Sequence, residues 1–201
     1  YNEEASSAGT RVLYSTGPTI NGTNLYQSRA DAAGATLVNG SHRKVNLDND
    51  QRVTVFQGGT SLEANWTLPS DFTLTSVSAY RWWNFTPRND DGLNVPASYN
   101  AGVSVEDKQW SQEFRLASPT GGFFDYVVGA YYFGSDLDNK SFAYYGPQAD
   151  IWNGTPTGAL RNVTSIGNGH IRTDSFALFA QGTWHLTERL DFTAGLRGTY
   201  E

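Results

Sequence analysis

Cysteine and methionine are both absent from the 201 residues of this chain. A chain without cysteine cannot be a small secreted scaffold held together by disulfides, although it can be a periplasmic or outer-membrane protein. Neither an initiator methionine nor a signal peptide is visible at the start. We therefore expect a processed or truncated product.

Basic residues are also scarce, since 14 Lys and Arg stand against 20 Asp and Glu and leave a net charge of −6. A nucleic-acid-binding surface needs clustered basic side chains that neutralise phosphates, so nucleic acid is not expected as a partner.

Long hydrophobic runs are missing as well: no stretch approaches the ~20 apolar residues of a membrane-spanning helix. This excludes a helical span but not a barrel strand, which needs only ~10 residues of alternating polarity. Aromatic residues make up 14% of the chain, charged residues only 17%, and there are 21 glycines. This composition favours strands over helices.

Catalytic motifs are lacking. The three histidines lie far apart, and no Gly-x-Ser-x-Gly, His-Glu-x-x-His or phosphate-loop pattern occurs. We expect no enzyme, no catalytic residue and no cofactor. Three acidic clusters fail the calcium-loop spacing, so solvated loops and no metal site are expected there. The clusters are Asp48, Asn49 and Asp50; Asn89, Asp90 and Asp91; and Asp136, Asp138 and Asn139.

The clearest pattern is a β-hairpin over residues 108–133. Trp110, Phe114 and Leu116 alternate with Ser111, Glu113 and Arg115, which is the period of a strand between two unlike environments. Residues 119–122, Pro-Thr-Gly-Gly, then reverse the chain. Mid-strand charges on one face fit either the wet face of a soluble sandwich or the lumen wall of a transmembrane barrel.

Two more hairpins follow the same alternation, over residues 52–85 and 173–201. In the first, Val77 and Ala79 are out of phase with Tyr80 and Trp82, so either a bulge shifts the register or the polar face is imperfect. Short strands are also predicted near 11–14 and 141–145.

The connections between these strands alternate in length. Short turns are predicted at 69–71, 119–122 and 187–189, and long connections at 1–50, 86–107 and 134–172. In an antiparallel meander, successive turns lie at opposite ends of the sheet, so all long connections share one end. Short periplasmic turns and long extracellular loops are typical of outer-membrane barrels. Aromatic residues also cluster towards both strand ends, as in interfacial girdles.

These hairpins resemble the barrel of TonB-dependent outer-membrane receptors. The resemblance is carried by residues 72–81 (FTLTSVSAYR), 108–119 (KQWSQEFRLASP), 124–133 (FDYVVGAYYF) and 173–197 (TDSFALFAQGTWHLTERLDFTAGLR). It implies a barrel of about 22 strands around an N-terminal plug, with import driven by the TonB complex. This chain shows no plug and no TonB box, and it supplies about six strands. We therefore expect a middle piece of a larger receptor.

The expected fold is all-β: an antiparallel meander of about six long strands, part of a transmembrane β-barrel, with residues 1–50 mostly an extracellular loop. The resemblance implies a segment of a bacterial outer-membrane receptor for TonB-energised uptake of a ferric siderophore, haem, cobalamin or glycan. Its partners would be outer-membrane lipid, the TonB complex through the absent plug, and the ligand. A passive porin-like barrel and a soluble glycan-binding β-sandwich remain as alternatives.

Aromatic and polar residues in the connections are the candidates for ligand contact, because stacking rings suit sugars and catecholates alike. Packing between loops is the competing interpretation for the same residues. The candidates are Trp83, Arg88, Tyr99, Tyr144, Tyr145 and Trp152.

Overall fold

A computed structural model describes residues 2–6, 13–38, 47, 51–88 and 99–201, with the backbone alone for 2–6, 99 and 100. The predicted strands near 11–14 and the acidic clusters at 48–50 and 89–91 lie largely or wholly outside these residues. No helix within the described ranges is long and apolar enough to span a membrane.

The described strands form one seven-stranded sheet in the order β1 to β7, in which each strand pairs antiparallel with the next. This confirms the predicted all-β meander of six long strands, to which a short first strand is added. The strands are β1 (Asn2–Ser6), β2 (Arg52–Thr67), β3 (Thr73–Arg88), β4 (Tyr99–Ala117), β5 (Phe124–Tyr145), β6 (Thr164–Thr187) and β7 (Leu190–Tyr200).

The register between β2 and β3 runs without a shift from Thr67 opposite Thr73 to Arg52 opposite Arg88. Val77 therefore faces the same side as Glu63, its direct partner, and no bulge explains its phase. The polar face is simply imperfect here. The one register shift in the named strand pairs lies between His185 and Thr187, beside the last short turn.

The strands extend further into the long connections than the sequence predicted. β3 runs to Arg88 and β4 begins at Tyr99, so the connection predicted over 86–107 shortens to 89–98. Likewise β5 runs to Tyr145 and β6 begins at Thr164, which leaves 146–163. The predicted short strand at 141–145 is the end of β5. Asp136, Asp138 and Asn139 therefore lie in a strand rather than in a solvated loop.

The short turns close by local hydrogen bonds. At the β4–β5 turn, the amide of Ser118 donates to the Tyr126 carbonyl and the Tyr126 amide donates to the Ser118 hydroxyl, each over 2.9 Å. At the β2–β3 turn, Ser70 and Asp71 have positive φ values of 64° and 61°, and the Leu68 amide donates to the Phe72 carbonyl over 2.7 Å. These reversals place all three short turns at one end of the sheet.

Two short helices, which the sequence did not predict, lie in two of the long connections and pack against each other. They are α1 (Leu25–Ala32) and α2 (Ala149–Asn153). Asn24 caps α1 by accepting from the Gln27 amide. Ala30 and Ala149 are fully buried, and the Tyr26 and Trp152 rings meet edge to face at 5.0 Å. Segments from two different long connections thus share a small core.

Candidate functional site

One face of the sheet, which we call the aromatic face, is exposed and largely apolar, with one polar group of Ser76, Ser78 and Gln112, which hydrogen-bond to one another across β3 and β4. Its side chains stand in register across β2 to β7, and no second sheet covers them within the described ranges. Leu62, Leu178 and Leu196 are 71%, 70% and 75% exposed. The face comprises Leu62, Trp66, Leu74, Tyr80, Trp82, Trp110, Phe114, Leu116, Phe124, Tyr126, Val128, Tyr132, Phe176, Leu178, Trp184, Phe192, Leu196 and Tyr200.

Two rows of rings bound this face. Near the short turns, the Phe124 and Trp184 ring centroids lie 4.7 Å apart across β5 and β6. Towards the long connections, the Tyr132 and Phe176 centroids lie 4.9 Å apart. From one row to the other, each of these strands uses about nine residues, which is the length of a tilted membrane-spanning strand. Trp83 and Tyr131 also lie towards the long connections, but they project from the opposite face.

The opposite, polar face carries a three-residue ionic cluster beside the short turns. Nε2 of His185 lies 3.0 Å from Oδ2 of Asp125, and Nδ1 lies 2.8 Å from Oδ1 of Asp191. An ionised carboxylate can only accept a hydrogen bond, so carboxylate oxygens beside both ring nitrogens favour the imidazolium form of His185. The cluster ties β5, β6 and β7 together. Oδ1 of Asp125 is buried and has no hydrogen-bond partner in the described part of the chain.

Midway along the polar face, charged groups pair with neighbours on the same wall. Arg115 Nε lies 2.6 Å from Glu113 Oε1, so the two mid-strand charges noted in the sequence form an ion pair. Arg197 lies over the rings of Tyr131 and Phe179, at 5.3 Å and 5.9 Å from their centroids. Cation–π contact holds this guanidinium flat against the wall.

Nearer the long connections, Asp107 organises a buried hydrogen-bond centre on the polar face. It is only 3% exposed and accepts from the Trp83 indole at 2.9 Å, from Gln109 at 2.7 Å and from the Ser135 hydroxyl at 2.8 Å. These three donors offset the cost of burying the carboxylate. The sequence missed Asp107 because it assigned this residue to a loop, although strand alternation extended back from Gln109 would have placed it on this face.

Beyond Asp107, the polar face becomes apolar. Phe85 lies opposite Val105, and Leu137 lies opposite both Asp107 and Ile171, so these side chains form a patch across β3 to β6. Ile171 is 55% exposed, and Phe85 lies 6.4 Å from the Trp83 ring. Together with the Asp107 centre, this patch offers flat rings and aliphatic surface beside fixed polar groups, which is the usual character of a small-molecule site.

The aromatic face shows the reverse change at the same height. Past the second row of rings it becomes a charged rim that consists of Glu106, Lys108, Asp136, Asp138, Lys140, His170, Arg172 and Asp174. Within the rim, Lys108 pairs with Glu106 at 2.9 Å and Arg172 with Asp174 at 3.2 Å. The hydrogen bond that His170 donates to Asp138 and the nearby charge of Asp136 raise the pKa of His170 above its ordinary value.

The structure separates the six residues predicted to contact a ligand. Trp83 and Tyr145 lie on the polar face, and Tyr99 is the register partner of Tyr145. By strand alternation, Arg88 and Tyr144 lie on the aromatic face instead. Trp152 packs against Tyr26 and Ala33, which is the loop-packing alternative. Trp83 is thus the candidate that lies in the mixed site around Asp107.

Comparisons with known proteins agree with this geometry. Residues 3–201 match the family model for the TonB dependent receptor-like β-barrel. Among solved structures, the chain is similar to the ferric yersiniabactin uptake receptor FyuA from Yersinia pestis, at 20% identity and a TM-score of 0.59. That match covers 75% of this chain and 21% of FyuA, so the chain spans about a fifth of that receptor's length. No curated protein matches significantly.

Because the family model covers nearly the whole chain, the resemblance predicted from the three hairpins is confirmed. Members of this family are outer-membrane transporters rather than enzymes. The chain belongs to the TonB-dependent receptor β-barrel family.

Proposed function

We propose that this chain forms part of the wall of a bacterial outer-membrane receptor that imports a scarce nutrient with energy from the TonB complex. The observation that carries the proposal is the uncovered aromatic face. A largely apolar band rich in Leu and Phe side chains, about nine residues deep between two rows of rings, fits the hydrocarbon core of a bilayer. In a single-layered sheet, the face opposite the lipid borders the interior of the barrel.

The change of polarity along both faces supports the orientation. On the aromatic face the charged rim begins just past the second row of rings, where a strand would leave the bilayer. At that height the polar face becomes apolar around Phe85, Val105, Leu137 and Ile171. Apolar surface on an interior wall needs a covering group, and a bound ligand or the segment that fills the lumen would supply one.

A ferric chelate is the substrate class that this site supports best. The Trp83 ring, held by its hydrogen bond to Asp107, offers a flat surface for an aromatic chelator, and the surrounding patch excludes water. The fold similarity to a ferric yersiniabactin uptake receptor supports the same class. Haem would use the same flat apolar contacts, whereas a glycan would require more hydrogen-bond donors than the patch provides.

Uptake by the complete receptor tests the proposal. A strain that lacks every other iron-chelate receptor would carry the full-length protein in its own outer membrane, with or without a functional TonB. We expect the cells to accumulate iron-55 chelate only when the receptor and a functional TonB are both present. Entry of chelate and of unrelated small solutes at equal rates without TonB would support the passive porin instead. Recovery of the protein in the soluble fraction would contradict any barrel function.

A further inference from the structure

We propose that Asp136, Asp138 and His170 bind a divalent first-row transition-metal ion on the outside of the barrel wall, at the base of the charged rim. The convergence of the three ligands follows from the strand register alone. Its placement just outside the bilayer rests on the proposed function. The sequence predicted a solvated loop at these aspartates, and the strand positions are what bring them to one point.

The three side chains converge from adjacent strands. Asp138 lies directly opposite His170, and Asp136 is two residues along β5, opposite Arg172 and on the same face. Nδ1 of His170 lies 2.9 Å from Oδ1 of Asp138 and 3.5 Å from Oδ1 of Asp136, and one possible ligand atom from each residue lies within 4.8 Å of the others. The register is continuous here, so the backbone already holds three ligands on one side of a common centre.

The donor set selects the class of ion. Imidazole nitrogen suits zinc, iron, nickel and copper, whereas carboxylate oxygen suits manganese, and one histidine with two carboxylates accommodates either kind. Two carboxylates also neutralise a divalent charge. Three protein ligands leave further positions open for water, unlike a closed structural zinc site with four.

The two basic residues opposite Asp136 form ion pairs with other carboxylates of the rim. Lys108 and Arg172, the register partners of Asp136, are paired with Glu106 and Asp174, while Lys140 lies two residues from Asp138 on the same face. Asp136 and Asp138 lie two residues apart on the same face of β5, and Nδ1 of His170 is within 3.5 Å of a carboxylate oxygen of each. A bound ion would relieve their repulsion and join β5 to β6 beyond the membrane band.

The proposed metal site lies on the face opposite the candidate site for the transported nutrient. Asp136, Asp138 and His170 share the face of Tyr132 and Phe176, whereas the Trp83 and Asp107 centre lies on the opposite side of the sheet. The ion would therefore stabilise the wall without contacting the transported nutrient.

Metal titration of the full-length receptor in detergent tests this site. After chelator treatment, the protein would be titrated with Mn²⁺, following the free-ion signal by electron paramagnetic resonance, and then with Zn²⁺ as competitor. We expect Asp138→Asn and His170→Gln each to weaken one binding equivalent at least about tenfold. Zn²⁺ should displace Mn²⁺, as the order of divalent affinities requires.

The control is Glu188→Gln, which removes an exposed carboxylate at the β6–β7 turn, far from the cluster. Binding should be unchanged in this variant, and all variants should keep the fast gel migration of an unboiled folded barrel. Equal binding by wild-type receptor and both cluster variants would overturn the proposal, as would an equal loss in Glu188→Gln. The uptake experiment is independent: if uptake fails while the binding difference persists, only the placement beside the bilayer is lost.

Discussion

Trp184 and Phe192 are direct partners across the β6–β7 hairpin, with ring centroids 5.6 Å apart. Phe124 continues the row from β5, at 4.7 Å from the Trp184 ring. Three strands thus present rings at one height, on the face that no other part of the described chain covers. Aromatic rings aligned at the end of an apolar band are typical of the membrane interface, and the predictions below follow from this arrangement.

A charge in the middle of the aromatic face should be costly. Leu196 lies opposite Ala180, halfway between the two rows of rings. We expect Leu196→Arg to lower the free energy of unfolding of the full-length receptor in lipid by about 2–4 kcal/mol, because arginine at the bilayer midplane is poorly solvated. Denaturant titration in liposomes measures this. Gln181→Arg, an exposed position of the polar face at the same height, should change stability by less than about 0.5 kcal/mol. Equal costs at both positions would contradict the assignment of faces.

Gly129 is required by close packing rather than by backbone conformation. A Cβ there would lie 2.7 Å from the carbonyl oxygen of Phe114 and would also overlap the Phe179 ring. Gly129→Ala should destabilise the barrel by about 1–3 kcal/mol, because the neighbouring strand backbone cannot give way. Gly198→Ala is the control, since a Cβ there meets no atom within 4 Å. The same unfolding measurement would refute this packing if the two variants were equally stable.

The separation of the predicted ligand residues between two faces can be tested by affinity. Trp83→Ala should raise the Kd of the full-length receptor for its ferric chelate at least about tenfold, as removal of a central aromatic contact usually does. Tyr144→Ala should leave the Kd unchanged, because Tyr144 projects from the aromatic face. Quenching of intrinsic fluorescence by the chelate gives both constants. A loss of affinity in the Tyr144 variant alone would show that the ligand binds on the aromatic face and would contradict the assignment of the two faces.

Asp150 should control the order of the connection 146–163. The Leu160 amide, together with the Gly158 amide and the Thr155 hydroxyl, holds the pKa of this carboxyl below its ordinary value. A lowered pKa in the folded state means that the carboxylate stabilises the connection above the unfolded pKa of about 4, and that this contribution is lost as the pH falls through the folded value.

Hydrogen exchange measures that effect. In Asp150→Ala, the amides of Gly158 and Leu160 should exchange at least about tenfold faster at neutral pH, since each loses a charged acceptor. Asp31→Ala, which removes an exposed carboxylate of α1, should leave them unchanged. Unaltered protection in Asp150→Ala would show that the connection is ordered by other contacts.

The alternation of polar and apolar residues was the basis of most of the correct predictions from the sequence. Glu113 and Arg115 between Phe114 and Leu116 indicated a strand with two unlike faces, and the meander followed from the spacing of turns. The strand ends were predicted less well, because beyond the second row of rings both faces change character. Asp136 and Asp138 replace apolar residues on one side while Leu137 replaces polar residues on the other, so the pattern remains alternating but changes its phase.

The candidate site was predicted only in part. Trp83 was found from its ring and its position near a long connection, but Asp107 was taken for a loop residue. The prediction that Arg88 and Tyr144 contact the ligand took no account of strand parity. Both residues lie an odd number of positions from polar-face residues of the same strand, and so they lie on the aromatic face. The contact between Trp152 and Tyr26 joins two distant connections, and no local pattern in the sequence encodes that pairing.

Accessibility of spin labels tests the central assignment of faces most directly. Because residues 1–201 contain no cysteine, single cysteines can be introduced at Leu196 and Leu178 on the aromatic face and at Gln181 and Thr193 on the polar face of the full-length receptor in liposomes. We predict that labels at the two leucine positions collide mainly with oxygen dissolved in the bilayer, and that labels at Gln181 and Thr193 are shielded from lipid. Equal exposure at all four positions to a water-soluble relaxation agent, with no excess of oxygen collisions at the leucines, would contradict a membrane-facing surface.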